Sequence, residues 1–249
     1  MPVAPSIQKS IQAARKVKTA PDPGERGQFA LYRAVDKLFQ NPKKITANLE
    51  SIEALLAFAP EIEAFRGKGS QMAANQFARL ISHLIYPLTE RLRPSESTPD
   101  LFIKEAEVPS SAQYVTDCLA TLAAHAFSRT QGPPVRSRHA GELRALAWES
   151  LKDISEVLRR PEHLAHSFKV AADRRASIEE RIAAVEFLSE YWGNEDPDEA
   201  TATLLLELEK DSPDRSFLVT VLQAQIDLGL GDELGALLAV EDWDENEEE

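Results

Sequence analysis

The sequence predicts an all-α protein, and three observations support that prediction. Its 249 residues are 43% hydrophobic but only 7% aromatic, and alanine and leucine dominate the apolar set. Such residues favour helices that pack through small side chains, whereas a β-sandwich would be richer in Val, Ile, Thr and Tyr. Apolar residues recur at helical spacing, no convincing alternating run appears, and proline or glycine separates segments of roughly 12–20 residues.

The helices follow from this periodicity and from start and stop signals such as Asn41-Pro42 and Gly193. In chain order the pattern predicts helices over 5–18, 25–40, from 42 to a break at Pro60, 70–92, from 110 or 111 to about 130, 138–160, 161–172, 177–192, from 197, from 213, and a short one around 234–238. Residues 93–109 are rich in Pro and Ser and predict a linker. We therefore expect N-terminal helical pairs in 1–92, repeats in 110–240 and an acidic tail in 241–249.

A short motif recurs in the C-terminal half of the chain. The pattern Arg-x-x-Ala-x-x-x-Leu begins at Arg144 and again at Arg181, and a third copy at Arg215 has Leu218 in place of Ala. The first two arginines are 37 residues apart and the second and third 34. This spacing places Ala and Leu on one helical face, and short helices at such a period are typical of an α-solenoid.

These motifs resemble the second, inner helix of HEAT repeats, within the HEAT/armadillo-like family of α-helical repeats. The resemblance covers residues 138–229 and extends only loosely to 1–130. It implies a right-handed superhelix of antiparallel helix pairs, with the inner helices on a concave face, and a role as a scaffold or adaptor. The chain departs from the family pattern in two ways. A HEAT repeat usually has Val before the Arg and an Asp in the preceding turn. Here the residues before the three arginines are Leu143, Glu180 and Asp214, and those six positions before them are Arg138, Arg175 and Glu209.

Charge is unevenly distributed along the chain. The formal net charge is −13, with +4 in residues 1–137 and −17 in residues 138–249, and seven acids lie in the last nine residues. An acidic C-terminal half disfavours binding to a phosphate backbone and attracts a basic protein. We therefore expect a non-catalytic interaction scaffold or adaptor with a basic protein partner, no direct nucleic-acid binding and no cofactor. The candidate partner-binding residues are Arg144, Arg181, Trp192, Arg215 and, in the tail, Trp243 as an anchor with Asp244 and Glu245.

Two other functions remain open from the sequence. His163 and His166 are three residues apart on one helix, and His139 with Glu142 sits similarly on the preceding helix, a spacing that suits metal ligation. Some HEAT-repeat hydroxylases hold a di-iron centre through His-Glu dipeptides. This chain lacks that dipeptide, so the leading expectation is that it has no metal site. The two alternatives are a metal-dependent enzyme that uses these four residues and an acidic decoy that mimics DNA.

Three further observations bear on the cellular compartment. The single cysteine, Cys118, cannot form an intramolecular disulfide and fits a reducing environment. The longest apolar stretch contains Arg79 and His83 and falls short of the roughly 20 apolar residues that span a membrane. The first residues lack the apolar core of a signal peptide. We therefore expect a cytoplasmic protein.

Overall fold

A computed structural model of the chain describes residues 2–19, 29–66, 69–92, 108–132, 138–193, 195–232 and 235–236. These residues form α-helices joined by turns and contain no β-strand, which confirms the all-α prediction. The helices are α1 (Pro5–Thr19), α2 (Ala30–Phe39), α3 (Pro42–Ile45), α4 (Leu49–Ala64), α5 (Ser70–Thr89), α6 (Val108–Thr130), α7 (Arg138–Ser155), α8 (Pro161–Ala172), α9 (Ile178–Trp192), α10 (Glu199–Lys210) and α11 (Arg215–Asp227). Among the described residues, no helix is both long and apolar enough to cross a bilayer.

The chain divides into two compact units, residues 1–128 and 129–249. The sequence instead places the division at a linker over 93–109, of which 93–107 lie outside the described residues. Helix α6 accounts for the difference, because the Tyr114 hydroxyl donates a hydrogen bond to the Thr46 carbonyl at 2.9 Å. The first half of α6 is therefore held by the N-terminal unit, although its sequence pattern groups it with the C-terminal repeats.

In the N-terminal unit, α1 packs on α2 and α4, and α5 packs on α2, α3 and α4. The core is formed by the apolar face of each helix, including Ile7, Val35, Ile52, Phe58 and Leu84. The sequence predicts a break at Pro60, but α4 continues through it to Ala64. A proline removes one backbone donor, and burial of Phe58, Ala59 and Ile62 on the same helix compensates for that loss.

The C-terminal unit has two layers of helices. Helix α9 packs against α7 on one side and α11 on the other, while α8 packs against α9 and α10, and α10 packs against α11. Contacts join the starts of neighbouring helices (Arg144 with Glu180, and Arg181 with Phe217) and the ends of α9 and α11 (Ser189 with Asp227). Helices α7, α9 and α11 therefore run in parallel and form one layer, and α8 and α10 lie in the other.

Helix starts in this unit are set by the side chains that precede them. Ser177 accepts a hydrogen bond from the Glu180 amide, and the Glu180 carboxylate accepts one from the Ser177 amide, which together form a capping box at α9. Asp198 caps α10 and Asp214 caps α11 in the simpler way, by accepting from the amide three residues later. Gly193 ends α9 with φ of 56°, a conformation that favours glycine.

Candidate functional site

The repeated motif forms the contacts between helices of one layer. Its small and branched positions are all buried, as the pattern predicts: Ala147, Leu151, Ala184, Leu188, Leu218 and Leu222. The first arginine, Arg144, forms an ion pair with Glu180 at 2.8 Å, and the two side chains are 12% and 2% exposed. The carboxylate thus comes from the residue just before the next motif arginine, not from the preceding turn as in the family pattern.

Arg181 is engaged inside the C-terminal unit. Its Nε donates to the Ala171 carbonyl at 2.8 Å, and its guanidinium lies 4.2 Å from the centre of the Phe217 ring. The residue is 3% exposed, and burial lowers the pKa of its guanidinium. A side chain so enclosed has almost no surface to offer a partner. Its contacts instead connect α9 to both α8 and α11.

The other predicted contact residues are distributed differently. Trp192 donates from Nε1 to the Thr201 hydroxyl at 3.0 Å, and its carbonyl accepts from Arg159, so its polar groups are used within the unit. Arg215 is exposed at the first position of α11. Trp243, Asp244 and Glu245 lie outside the described residues. Among the predicted residues in the described part, Arg215 is exposed, Arg144 and Trp192 are half-buried and Arg181 is buried.

The histidines of the metal hypothesis are packing residues where they are described. His163 is 4% exposed, and His166 stacks on Trp148 with ring centres 5.3 Å apart. Burial lowers the pKa of both imidazoles. Glu142 lies on α7, while the His139 side chain is outside the described part. Within that part, no three His, Cys, Asp or Glu residues are grouped as a metal site requires.

A groove lies on the surface of the parallel layer. It encloses about 320 Å³ and is lined by α7, α9 and α11. We call it the layer groove, and the lining residues used below are Lys152, Glu186, Glu190, Val219, Gln223 and Asp227. Val219 is 44% exposed and supplies an apolar surface. The groove therefore combines an exposed aliphatic side chain with several charged ones.

The charges of the layer groove are predominantly negative. The lining contains three carboxylates, Glu186, Glu190 and Asp227, and one base, Lys152, whose ammonium lies 3.8 Å from Glu186. Asp227 accepts hydrogen bonds from Ser189 at 3.1 Å and from Gln223 at 2.7 Å, which fix the position of its carboxylate. Neither α9 nor α11 has a basic residue in its last turn. The negative end of the α11 dipole therefore adds to the carboxylates, whereas that of α9 is partly offset by Arg159, which donates to the Trp192 carbonyl at 3.2 Å.

Sequence reasoning did not find this groove, because its residues come from three helices that are far apart in the chain. One signal was available. Ser189 and Asp227 are 38 residues apart and Arg144 and Glu180 are 36 apart, so polar contacts recur near the repeat period. Polar residues separated by about that period are therefore candidates for contacts between neighbouring helices of one layer.

Comparison with known proteins gives no further guide to the function of these residues. The chain matches no protein-family model, no curated protein and no solved structure.

Proposed function

We propose that this protein is a non-catalytic scaffold or adaptor whose C-terminal unit binds a basic protein. The observation that carries this proposal is the layer groove, whose lining has three carboxylates and one lysine. Electrostatic complementarity of this kind speeds association and selects partners of opposite charge. Because the groove is lined by side chains on a packed layer, its charges lie on rigid elements and not on loops.

The surface around the groove has the same sign. Among the described residues of the C-terminal unit, exposed acids outnumber exposed bases by twelve to six. The acids are Glu149, Glu162, Glu179, Glu186, Glu195, Asp196, Asp198, Glu199, Glu207, Asp211, Asp227 and Asp232, and the bases are Arg159, Lys169, Arg174, Arg175, Lys210 and Arg215. A basic partner would thus be attracted from a distance and then held at the groove.

The proposal includes the finer architecture that the sequence resemblance implies, a right-handed HEAT-like solenoid. Two features of the C-terminal unit support it. Successive helices of one layer, α7, α9 and α11, pack in order, with α8 and α10 between them in sequence and in the other layer. Polar contacts between helices also span nearly constant separations: 36 residues from Arg144 to Glu180, 37 from Arg174 to Asp211 and 38 from Ser189 to Asp227.

Affinity purification with the tagged full chain tests the function. We expect basic proteins to be retained at about 0.05 M NaCl and released at about 0.5 M, because added salt shortens the range of charge attraction. An unrelated protein of equal net charge serves as the control, and a captured partner must bind again when both proteins are purified. Loss of all partners, or retention that ignores salt, contradicts the proposal. Competition by DNA for the partner would favour the decoy hypothesis instead.

A further inference from the structure

We infer that the layer groove binds a peptide segment that carries an arginine or lysine and an apolar residue about four positions away. This inference rests on the proposed function and assigns it to one site and one class of ligand. The ligand is a segment of a protein partner. It would span the two ends of the groove on α11, Val219 and Asp227.

The cation-binding end of the groove is formed by Glu190 and Asp227. Both carboxylates lie in the last turns of parallel helices, and at Asp227 the negative end of the α11 dipole adds to the charge, whereas Arg159 partly offsets that of α9. Asp227 is held in place by Ser189 and Gln223, so it is preorganised to receive a cation. Lys152, the one base among the lining residues, lies against Glu186 rather than at this end. An incoming guanidinium or ammonium therefore meets two carboxylates there.

The apolar end of the groove is formed by Val219. It is 44% exposed, although it lies on the same helix as the buried Leu218, Val221 and Leu222. Val219 and Asp227 are separated by eight residues of helix, which corresponds to about 12 Å along the axis. An extended peptide covers that distance in about four residues. This separation gives the expected spacing between the apolar and the basic residue of the ligand.

The test measures binding of a fluorescein-labelled peptide of about 12 residues to the full chain by fluorescence anisotropy. The peptide carries one Leu and one Arg four positions apart in a Gly/Ser background, and a second peptide has Gln in place of the Arg. The groove variant is E190Q/D227N, which keeps side-chain size and one acceptor oxygen per side chain, so that position 227 can still accept from Gln223 and can donate to the Ser189 hydroxyl. The matched control is E199Q/E207Q, which removes two exposed carboxylates from α10 in the same unit.

We expect the groove variant to bind the Arg peptide about tenfold more weakly and the control to change its affinity by less than about twofold. The Gln peptide should bind the unchanged protein about as weakly as the Arg peptide binds the groove variant. A third variant, Val219→Ser, should weaken binding a few-fold, since it removes only the apolar contact. Equal thermal midpoints of all variants, followed by tryptophan fluorescence, establish that folding is retained.

Other outcomes separate this inference from the proposed function. Equal weakening by both double variants would mean that binding uses the acidic surface as a whole, which overturns the groove assignment and keeps the proposed function. Peptide binding that neither variant weakens overturns the assignment as well. If the peptide does not bind but the full chain still retains a basic protein in a salt-dependent way, the inference fails alone. If neither ligand is held, both fail.

Discussion

Glu180 makes two kinds of contact at once, and both depend on its burial. Its carboxylate forms the ion pair with Arg144 on α7 and also closes the capping box with Ser177 at the start of its own helix. At 2% exposure the carboxylate is largely removed from water. A buried carboxylate is stable only when hydrogen bonds or an opposite charge compensate for the loss of water. The ion pair with Arg144 and the capping box with Ser177 together provide that compensation.

Replacing Glu180 should therefore destabilise the C-terminal unit strongly. We expect Glu180→Ala to lower the free energy of unfolding by about 3 kcal/mol, because Arg144 loses its buried partner and the helix loses half of its capping box. Urea unfolding followed by tryptophan fluorescence measures this, since Trp148, Trp192 and Trp243 all lie in residues 129–249. The exposed neighbour provides the control: Glu179→Ala should change the value by less than about 0.5 kcal/mol. Equal effects of the two substitutions would mean that the ion pair contributes little.

At the scale of elements, α9 is the central helix of the C-terminal unit. It contacts α7, α8 and α11, and its buried positions include four residues of its middle turns: Ala183, Ala184, Phe187 and Leu188. Alanine at 184 lets a neighbouring helix approach closely, which explains why the motif has a small residue there. Because Ala184 is fully buried, a larger side chain would have to displace its closely packed neighbours.

Enlarging that position tests the packing of the layer. We expect Ala184→Leu to lower the free energy of unfolding by about 1–3 kcal/mol, the usual cost of overpacking a filled core. The exposed Ala200 on α10 is the matched control, and Ala200→Leu should be close to neutral. Thermal melts of both variants provide the measurement. A neutral Ala184→Leu would imply unfilled space between α9 and its neighbours.

Two histidines of helix α8 should make the stability of the C-terminal unit depend on pH. The pKa of His163 and of His166 is lowered by burial, relative to an ordinary value of 6.5. Glu162 opposes this shift of the His163 pKa, whereas Arg160 and His166 add to it. Below about 6.5 the unfolded chain therefore binds protons that the folded chain does not, so stability falls as the pH falls.

The expected result is a decrease in the free energy of unfolding between about pH 7.5 and pH 5.5, above the range in which most carboxylates titrate. The double variant His163→Leu/His166→Phe should flatten this dependence, because neither side chain titrates and phenylalanine can retain the stacking on Trp148. Urea unfolding at several pH values measures the slope. A slope that the double variant leaves unchanged would assign the pH dependence to other groups.

At the scale of the whole molecule, the two units differ in net charge. Residues 129–249 contain 13 Lys and Arg and 28 Asp and Glu, a net charge of −15, whereas residues 1–128 contain 15 and 13, a net charge of +2. Repulsion among the carboxylates opposes compact folding of the C-terminal unit. The same excess of acids gives the layer groove its attraction for a cation, so stability and binding are in opposition there.

Screening that repulsion should stabilise the C-terminal unit. We expect its thermal midpoint, followed by tryptophan fluorescence, to rise as NaCl increases from about 0.02 M to about 0.3 M. The variant E199Q/E207Q, which removes two acids, should show a smaller rise. A midpoint that falls with salt would mean that ion pairs such as Arg144–Glu180 outweigh the net repulsion.

The sequence by itself determined the helical class and the buried face of the repeated motif. Helical periodicity is a local property, so Ala184 and Leu188 could be assigned to one face from their spacing alone. The caps at Ser177 and Asp214 are local as well, and they fix where α9 and α11 begin.

Only the tertiary structure decided which side chains meet. The grouping of α6 with the N-terminal unit depends on the contact of Tyr114 with Thr46, 68 residues away, and continuation of α4 through Pro60 depends on burial around it. Arg181 and Glu190 both lie on α9, yet one is enclosed beneath Phe217 and the other lines an open groove. Their spacing of nine residues places them on opposite faces of α9. Which face is covered is not determined by that spacing, because the neighbouring helices come from distant parts of the chain.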